Sequence, residues 1–218
     1  MTTGPAVEVW WARIEQARDE FAADLDEDER GRLAAYRRDE DQARFLLGCT
    51  VVRRLLAARF SLPAAKVRLD RTCPDCGKPH GKVRADGVDL SVTHSGELIG
   101  VAVGDHPVGL DVEKVDPGID VDAMARMSLA AGELRQLERY DGIAKAEAFT
   151  RYWTRKEAVV KATGDGIRTD LRTVVVDTPT AGLQLRDLAV GPDHLAALAV
   201  LSSEPPVVQL KDATQVLS

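Results

Sequence analysis

The sequence predicts a mixed α+β protein with two halves of similar size. Two long stretches, 39–59 and 145–163, are rich in helix-forming residues and contain almost no helix breakers. Several shorter segments carry alternating or β-branched residues, which favour strands. The Asp-Pro-Gly linker at 116–118 is typical of a turn, so we place the boundary of the halves between 1–115 and 116–218. Both halves mix helices with strands, although no direct sequence repeat relates them.

The first half is expected to combine helices with short strands. Helix 39–59 is strongly apolar, so it should be mostly buried. A hairpin follows, and its first strand leads into the polar run Thr93-His94-Ser95-Gly96. In order, the expected elements are a strand at 7–11, a surface helix at 14–25, the helix at 39–59, and strands at 67–69, 88–92, 98–103 and 108–113.

The second half is expected to contain helices followed by a closing sheet. Glu133 and Arg135 should lie on the solvated surface. Residues 203–218 should be peripheral, because Pro205 and Pro206 interrupt any strand there. The expected elements are helices at 121–127, 131–140 and 145–163, and strands at 174–176, 182–185 and 195–201.

The composition is that of an ordinary globular protein and argues against several classes. The chain has 218 residues, of which 44% are hydrophobic and 29% are charged. It contains no apolar run that could cross a membrane and no secretion signal, and three cysteines do not suggest a disulfide scaffold. The formal net charge of -6 argues against general nucleic-acid binding. We therefore expect a cytoplasmic protein with no nucleic-acid and no membrane partner.

Helix 145–163 carries an acid and a base on one side. Trp153, Glu157 and Lys161 are spaced four residues apart, so they share that side, and Gly164 then ends the helix. A surface Glu–Lys pair that supports the helix is the simpler interpretation. The alternative is a carboxylate and an ammonium group that act together in a site.

The strand at 108–113 places two acids on the same face. Asp111 and Glu113 alternate with Leu110 and Val112, which point to the opposite face. Adjacent carboxylates repel each other unless both reach water or a cation offsets their charge. Mg²⁺ would suit this pair because it takes carboxylate oxygens together with substrate phosphates.

Basic and polar residues elsewhere suggest contacts with phosphate. Arg44 on helix 39–59 either pairs with acids or clamps a phosphate through its planar guanidinium group. His94, at a strand end beside two hydroxyl groups, is placed like a ligand-binding residue, although a backbone carbonyl could satisfy it equally well. The Gly-Lys-Pro loop at 77–79 is basic and rigid, which suits phosphate or adenine.

Cys73 and Cys76 have the spacing of half a zinc site, and His80 lies close behind them. A closed structural site needs a fourth ligand. Cys49 lies in the apolar helix, where a buried free thiol is ordinary. Zinc at Cys73 and Cys76 is therefore one interpretation, and a tight turn with locally packed, reduced cysteines is the other.

Five motifs resemble those of the 4'-phosphopantetheinyl transferase superfamily, of the Sfp type. Each motif is weak alone, whereas five in the right order are specific. The Cys73–Cys76 insert departs from the general family pattern. The motifs are Arg44-Phe45-Leu46-Leu47-Gly48, Gly77-Lys78-Pro79, Thr93-His94-Ser95-Gly96, Val108-Gly109-Leu110-Asp111-Val112-Glu113 and Trp153-Thr154-Arg155-Lys156-Glu157-Ala158-Val159-Val160-Lys161.

The resemblance implies two similar α/β halves related by pseudo-twofold symmetry, with coenzyme A bound in the cleft between them. It implies that a chain of this length is a monomer. The implied reaction moves the 4'-phosphopantetheine moiety of coenzyme A to a serine of an apo acyl or peptidyl carrier protein and releases adenosine 3',5'-bisphosphate. Siderophore, polyketide, nonribosomal peptide and fatty-acid pathways use such enzymes, and the sequence does not distinguish among them.

The resemblance also implies roles for individual residues. It implies Mg²⁺, for which Mn²⁺ can substitute, bound by Asp111, Glu113 and Glu157. It implies catalytic roles for Asp111, Glu157 and Lys161, with the general base being either Glu157 or a metal-bound water relayed by Glu113. The residues implied in coenzyme A binding are Arg37, Arg44, Lys78, Pro79, Thr93, His94, Ser95, Lys156 and Lys161.

Two competing interpretations stay open. A zinc-knuckle binding module would hold stoichiometric zinc and no coenzyme A. A family member that has lost catalysis would bind coenzyme A without transferring its arm. The surface that docks the carrier is expected on the helices between 121 and 140, with Met124 and Met127 as apolar contacts unless both belong to the core.

Overall fold

The structure shows the predicted α+β class. A computed structural model describes residues 4–73, 76–79, 81–178 and 180–218. Its strands are β1 (Ala6–Arg13), β2 (Arg84–Ala85), β3 (Val88–Ser95), β4 (Leu98–Gly104), β5 (Val108–Lys114), β6 (Leu183–Leu188), β7 (His194–Leu201) and β8 (Val207–Asp212). Its α-helices are α1 (Glu27–Ala35), α2 (Asp39–Phe60), α3 (Val121–Ser128), α4 (Ala131–Leu137), α5 (Gly142–Thr163) and α6 (Thr214–Leu217). No helix in these ranges combines the length and apolar character that a membrane crossing requires.

The described strands form two sheets that share a repeated unit. One sheet has the order β2-β3-β4-β1-β8 and the other has the order β5-β7-β6. In each, a first strand is followed by a 22-residue helix and then a hairpin, and the second hairpin strand pairs antiparallel with the first strand. The unit β1-α2-β3-β4 thus recurs as β5-α5-β6-β7, although the sequences show no repeat. Strand β8 returns to pair in parallel with β1.

The two sheets pack against each other, and a long helix covers the outer face of each. Alternation along β4 illustrates the layering. Ile99 and Val101 face the cluster that includes α2, whereas Leu98 and Ala102 face the cluster between the sheets. On the other side, Ala158 of α5 packs against alanines of β7. This arrangement places β5 and α5 next to each other near the junction of the sheets.

A glycine allows α5 to approach β5 at backbone distance. A Cβ atom added to Gly109 would lie 1.8 Å from the carbonyl oxygen of Ala158 and 2.5 Å from the backbone nitrogen of Ala162. No side chain fits in that space without moving the helix. Gly109 therefore sets the distance at which α5 can present its side chains to β5.

Two segments predicted as strands, 67–69 and 174–176, are not strands, because buried charged side chains take their backbone groups. Arg53 donates to the carbonyl oxygen at the start of 67–69 at 3.1 Å. Lys156 donates to the first carbonyl oxygen of 174–176, and Glu133 accepts from its last N–H. The β-branched and apolar residues of these segments favour strands, but several of their backbone groups bind buried charged side chains instead of a neighbouring strand.

The predictions for 14–25 and 203–218 are also wrong. The first segment forms two short 3₁₀ turns, Ile14–Gln16 and Asp19–Asp24, because an extended backbone at Arg18 interrupts the helix. The second segment contains β8 and α6 and joins the fold. The two prolines precede β8 instead of interrupting it, so they do not remove any of its ladder hydrogen bonds.

Candidate active site

Asp111 and Lys161 meet where α5 packs on β5. The predicted alternation is confirmed, since Leu110 and Val112 lie in the core between the sheets. The Nζ atom of Lys161 lies 2.7 Å from Asp111 Oδ1 and 3.2 Å from the carbonyl oxygen of Leu110. Asp111 is only 4% exposed, whereas the Lys161 side chain is half-buried, so a buried carboxylate holds a lysine that still reaches solvent.

Glu157 lies one turn before Lys161 on α5, on the same side of the helix as the spacing predicted. Both residues line one cleft. Trp153, one turn further back, belongs instead to a cluster formed with α3 and α4. Its ring packs against Phe149 with the centroids 6.1 Å apart. This side of α5 is therefore packed against other helices at Trp153 and open to the cleft at Glu157 and Lys161.

Burial raises the pKa values of the three carboxylates Asp111, Glu113 and Glu157, and repulsion from nearby acids adds to the shift of the two glutamates. Burial raises the pKa of Asp111 even though Lys161 counters it. Burial, followed by the charge of Asp111, raises the pKa of Glu157. The pKa of Glu113 is raised mainly by burial, with smaller contributions from Asp111 and Glu157, while the Ser95 hydroxyl lowers it. Burial thus raises the pKa of all three acids, and nearby carboxylates add to the effect on Glu113 and Glu157, so the region favours a cation.

A cleft of about 620 Å³ opens beside these residues. Its volume is typical of a site for a small molecule or cofactor. One wall comes from β3, from Arg71 and Cys73, and from residues 81–84, and the other comes from the end of α5 and the segment that follows it. Five cationic side chains line it, and they are Arg71, Lys82, Arg84, Lys161 and Arg168. A cleft with this lining favours an anionic ligand.

His94 and Arg44, which belong to the first half of the chain, lie near the Asp111–Lys161 pair. The Nε atom of Arg44 donates to the carbonyl oxygen of Gly96 at 2.7 Å, which ties α2 to the turn after β3. The same guanidinium group pairs with Asp41 at 2.8 Å. Burial lowers the pKa of His94, and the charges of Lys161 and Arg44 lower it further. These shifts favour the neutral form of His94, while acids on α2 already engage the charge of Arg44.

Thr93 and Ser95 contact β5 directly. The Thr93 hydroxyl lies 3.1 Å from Asp111 Oδ1, and the Ser95 hydroxyl donates to Glu113 Oε2 at 2.7 Å. Thr93 is 4% exposed. The two hydroxyls expected to contact coenzyme A are therefore occupied by the acids of β5.

Lys156 requires a correction, because the structure buries it completely. Its Nζ atom lies 2.7 Å from Glu133 Oε2 and 2.9 Å from the carbonyl oxygen of Leu171. A side chain held in this way cannot reach a phosphate in the cleft. Glu133, predicted on the surface, is also fully buried. Sequence periodicity did not reveal this pair, since its members lie on different helices.

The remaining candidates for coenzyme A binding lie in exposed loops. Arg37 follows α1, and Lys78 and Pro79 lie in the segment before β2. Arg32 donates to the carbonyl oxygen of Pro79 at 3.4 Å, so this loop approaches α1. The structure leaves these side chains accessible, and their roles stay predictions.

The cysteine motif lies partly outside the described residues, because His80 is among those not described. Cys73 is buried and Cys76 is exposed, and the backbone N–H of Cys73 donates to the carbonyl oxygen of Lys78 at 2.9 Å. Burial raises the pKa of Cys49 to about 12, which keeps this thiol protonated. Zinc at Cys73 and Cys76 stays a prediction.

The two methionines proposed for carrier docking differ in exposure. Met124 packs in the cluster of α3, α4 and α5, whereas Met127 is 70% exposed. Tyr140 and Ile143, near the start of α5, are also exposed apolar residues. Met127 therefore stays a candidate contact, and Met124 contributes to packing.

The donor chemistry of Asp111, Glu113 and Glu157 fits a divalent cation. Asp111 Oδ2 is buried and has no hydrogen-bond partner among the described residues. An unpartnered buried carboxylate oxygen is costly, and a cation would satisfy it. In the described part of the chain, no three His, Cys, Asp or Glu side chains already converge closely enough to hold a metal ion. The carboxylates are thus near one another but not arranged as a finished metal site.

The fold and site together define a class of protein: two related α/β units with a cationic cleft and a carboxylate–lysine group between them. Residues 107–205 match the family model of the 4'-phosphopantetheinyl transferase superfamily. The chain is 30% identical over 176 residues to the 4'-phosphopantetheinyl transferase psf-1 of Bacillus pumilus, covering 80% of this chain and 72% of that protein.

Two further relatives carry the same family name. The 4'-phosphopantetheinyl transferase HetI of a Nostoc species is 29% identical over 186 residues, covering 83% of this chain and 78% of that protein. The 4'-phosphopantetheinyl transferase Sfp of Bacillus subtilis is 25% identical over 153 residues, covering 70% and 66%. The chain belongs to the 4'-phosphopantetheinyl transferase superfamily.

Proposed function

We propose that this protein transfers the 4'-phosphopantetheine moiety of coenzyme A to a serine hydroxyl of an apo acyl or peptidyl carrier protein. The released product is adenosine 3',5'-bisphosphate. One observation carries the proposal: Lys161, paired with the buried Asp111, and Glu157 line a cationic cleft between residues 1–115 and 116–218. The relatives named as 4'-phosphopantetheinyl transferases support the same activity.

The charge of the cleft suits the proposed substrate. Coenzyme A carries a pyrophosphate and a further phosphate, so a site for it must neutralise several negative charges. The cations lining the cleft come from both halves. His94 adds a donor, and an anion close to it would oppose the effect that Lys161 and Arg44 exert on its pKa. The roles of Arg37, Arg44, Lys78 and Pro79 in holding the nucleotide end belong to this proposal.

Asp111, Glu113 and Glu157 would hold the divalent cation, Mg²⁺ or Mn²⁺. When bound, the cation neutralises charge on the pyrophosphate of coenzyme A and on the leaving bisphosphate. Burial raises the pKa of all three acids, and the charges of neighbouring carboxylates raise those of Glu113 and Glu157 further, so a cation would stabilise their charged forms. Asp111 Oδ2, which lacks a partner among the described residues, is the oxygen best placed to gain from it.

Lys161 and Glu157 would act on the reacting groups. The proposed reaction forms a bond between the serine oxygen and the β-phosphorus and breaks the bond between that phosphorus and the oxygen of the bisphosphate. The serine proton must pass to a base, which we propose is either Glu157 or a water relayed by Glu113, and burial raises the pKa of both glutamates. The Lys161 ammonium, held at the cleft by Asp111, can donate to a phosphate oxygen as negative charge develops.

Intact mass spectrometry of a carrier protein tests the proposal. An apo carrier incubated with this protein, coenzyme A and Mg²⁺ should gain the mass of one phosphopantetheine, and EDTA should prevent the gain. A carrier whose acceptor serine is changed to alanine is the matched control. Asp111→Ala and Glu157→Ala should abolish transfer while keeping the fold. Full activity in either variant, or no modification across several carrier types, would refute the assignment.

A further inference from the structure

Four side chains of β3 cover one edge of β5. They belong to alternate residues, so they point to the same side of β3. Each accepts a hydrogen bond from a backbone N–H of β5, and the spacing between acceptor and donor is constant along the strand. The pairs are Asp89 with Val108 (2.9 Å), Ser91 with Leu110 (2.9 Å), Thr93 with Val112 (3.2 Å) and Ser95 with Lys114 (3.0 Å).

This side-chain ladder connects the two sheets. β5 pairs with β7 along its other edge, so its remaining N–H groups would need partners elsewhere. The side chains of β3 supply those partners in place of a neighbouring backbone. As a result, the position of β5 along β3 is fixed by hydrogen bonds at every second residue. Any group on β5 is thereby placed relative to the sheet that contains β3.

Two rungs of the ladder make a second hydrogen bond. The Thr93 hydroxyl accepts from the N–H of Val112 and can donate to Asp111. The Ser95 hydroxyl accepts from the N–H of Lys114 and donates to Glu113. A hydroxyl has one proton to donate, so both groups use it on a carboxylate. Ser91 differs, because among the described residues its hydroxyl donates only to the carbonyl oxygen of Leu110, at 3.5 Å, and not to a carboxylate.

The bonds on Asp111 are also unevenly divided between its two oxygens. Thr93 and Lys161 both contact Oδ1, at 3.1 Å and 2.7 Å. Oδ2 is buried and has no hydrogen-bond partner among the described residues. Fixing one oxygen with two donors orients the carboxylate and leaves the lone pairs of the other oxygen available.

We propose that Thr93 and Ser95 are positioning residues that hold Asp111 and Glu113 for a divalent cation. Each hydroxyl contacts the carboxylate of a β5 acid and accepts from the backbone N–H of the residue that follows that acid. This inference rests on the proposed function, and it gives the two hydroxyls a role other than direct contact with coenzyme A. Groups that orient metal ligands typically change metal affinity or activity by about 10- to 100-fold when removed.

Mn²⁺ binding, followed by the paramagnetic resonance signal of free Mn²⁺ during titration of the protein in the presence of coenzyme A, tests the inference without an activity assay. Thr93→Val keeps the shape of the side chain but removes the hydroxyl, and it should weaken Mn²⁺ binding by about tenfold or more. Thr93→Ser restores the hydroxyl and should recover most of the affinity. Ser95→Ala should also weaken binding.

Ser91→Ala is the matched control, because it removes a rung of the same ladder without touching a carboxylate. Faster hydrogen exchange of the Leu110 amide would verify that the rung is broken, and Mn²⁺ affinity should stay within about threefold of the original, below the effect expected for an orienting group. Equal losses in Ser91→Ala and Thr93→Val, or unchanged affinity in Thr93→Val, would overturn the inference. If the unaltered protein modifies a carrier while Thr93→Val binds Mn²⁺ normally, only the inference fails. If the unaltered protein neither binds Mn²⁺ nor modifies a carrier, both proposals fail.

Discussion

Lys156 and Glu133 show how a charged pair can serve the fold instead of the site. Both are fully buried, with 2.7 Å between Nζ and Oε2. Burial lowers the pKa of Lys156, and Glu133 opposes that effect. Glu133 also accepts from the N–H of Val176 at 3.0 Å. Through this ion pair and these hydrogen bonds, the two residues link α4, α5 and the segment after α5.

Removing one partner of this pair should strongly destabilise the protein. Lys156→Met leaves the Glu133 carboxylate buried without its cation, which typically costs about 3–5 kcal/mol. Chemical denaturation would measure the loss in the free energy of unfolding. The control is Lys145→Met, since Lys145 pairs with Asp122 at the surface and should matter much less. Equal losses in the two variants would contradict the account.

The sequence placed Lys156 near the phosphates because it adjoins Glu157 in the motif. Consecutive helical residues do not face the same direction, so only one of the two can face the cleft. Glu157 and Lys161 were predicted correctly because helical spacing decides which residues share a side. The partner of Lys156 could not be predicted, since no local pattern joins residues on separate helices.

At the scale of elements, the contact between α5 and β5 decides where the acid and the lysine meet. Gly109 lets the two backbones approach closely, and Ala158 is the residue of α5 that it faces. Asp111 and Lys161 sit two and three residues away from this contact along their own elements. The geometry of the pair therefore depends on a residue without a side chain.

Gly109→Ala should push α5 away from β5. The added Cβ would meet backbone atoms at 1.8 Å and 2.5 Å, and neither can move aside as a flexible side chain could. We expect a lower melting temperature together with loss of carrier modification. Gly31→Ala on α1 is the control, because a Cβ there meets nothing within 4 Å. A fully active, stable Gly109→Ala variant would refute this role.

Long elements were predicted better than short ones, for a physical reason. Helices α2 and α5 were expected within a few residues of their observed bounds, since each is a long run of helix-forming residues with almost no helix breakers. The strands predicted at 67–69 and 174–176 do not form, because charged side chains distant in sequence bind their backbone groups. Strand β8 was missed because its partner, β1, lies at the other end of the chain.

At the scale of the whole molecule, the buried acids should make stability depend on pH and on Mg²⁺. The pKa values of Asp111, Glu113 and Glu157 are raised in the folded state, so the folded state holds their protons more tightly. Their contribution to stability is therefore greatest at low pH. It is lost as the pH rises from about 4, the unfolded value, through the raised folded values.

Mg²⁺ should reverse that loss, because it binds the deprotonated acids. With coenzyme A present, the rise in melting temperature on adding Mg²⁺ should be larger at about pH 7.5 than at about pH 5. Scanning fluorimetry at both values measures it. Asp111→Asn should show a reduced rise at the higher pH. An equal rise at both values, or none at either, would contradict the assignment of the three acids.

Asp111 on β5 and Glu157 on α5 come from adjacent elements of the site, and Glu157 lines the cleft together with Lys161. The central claim is that this cleft performs phosphopantetheine transfer. Glu157→Gln and Glu147→Gln make the same chemical change on the same helix, but only Glu157 lines the cleft and Glu147 is exposed. They therefore separate a catalytic effect from a general effect on α5.

The most direct measurement is the rate at which an apo carrier gains the mass of phosphopantetheine with the unaltered protein and with these two variants. We predict a loss of about a hundredfold or more for Glu157→Gln and a rate close to the original for Glu147→Gln. Equal rates for all three proteins would show that the chemistry takes place elsewhere.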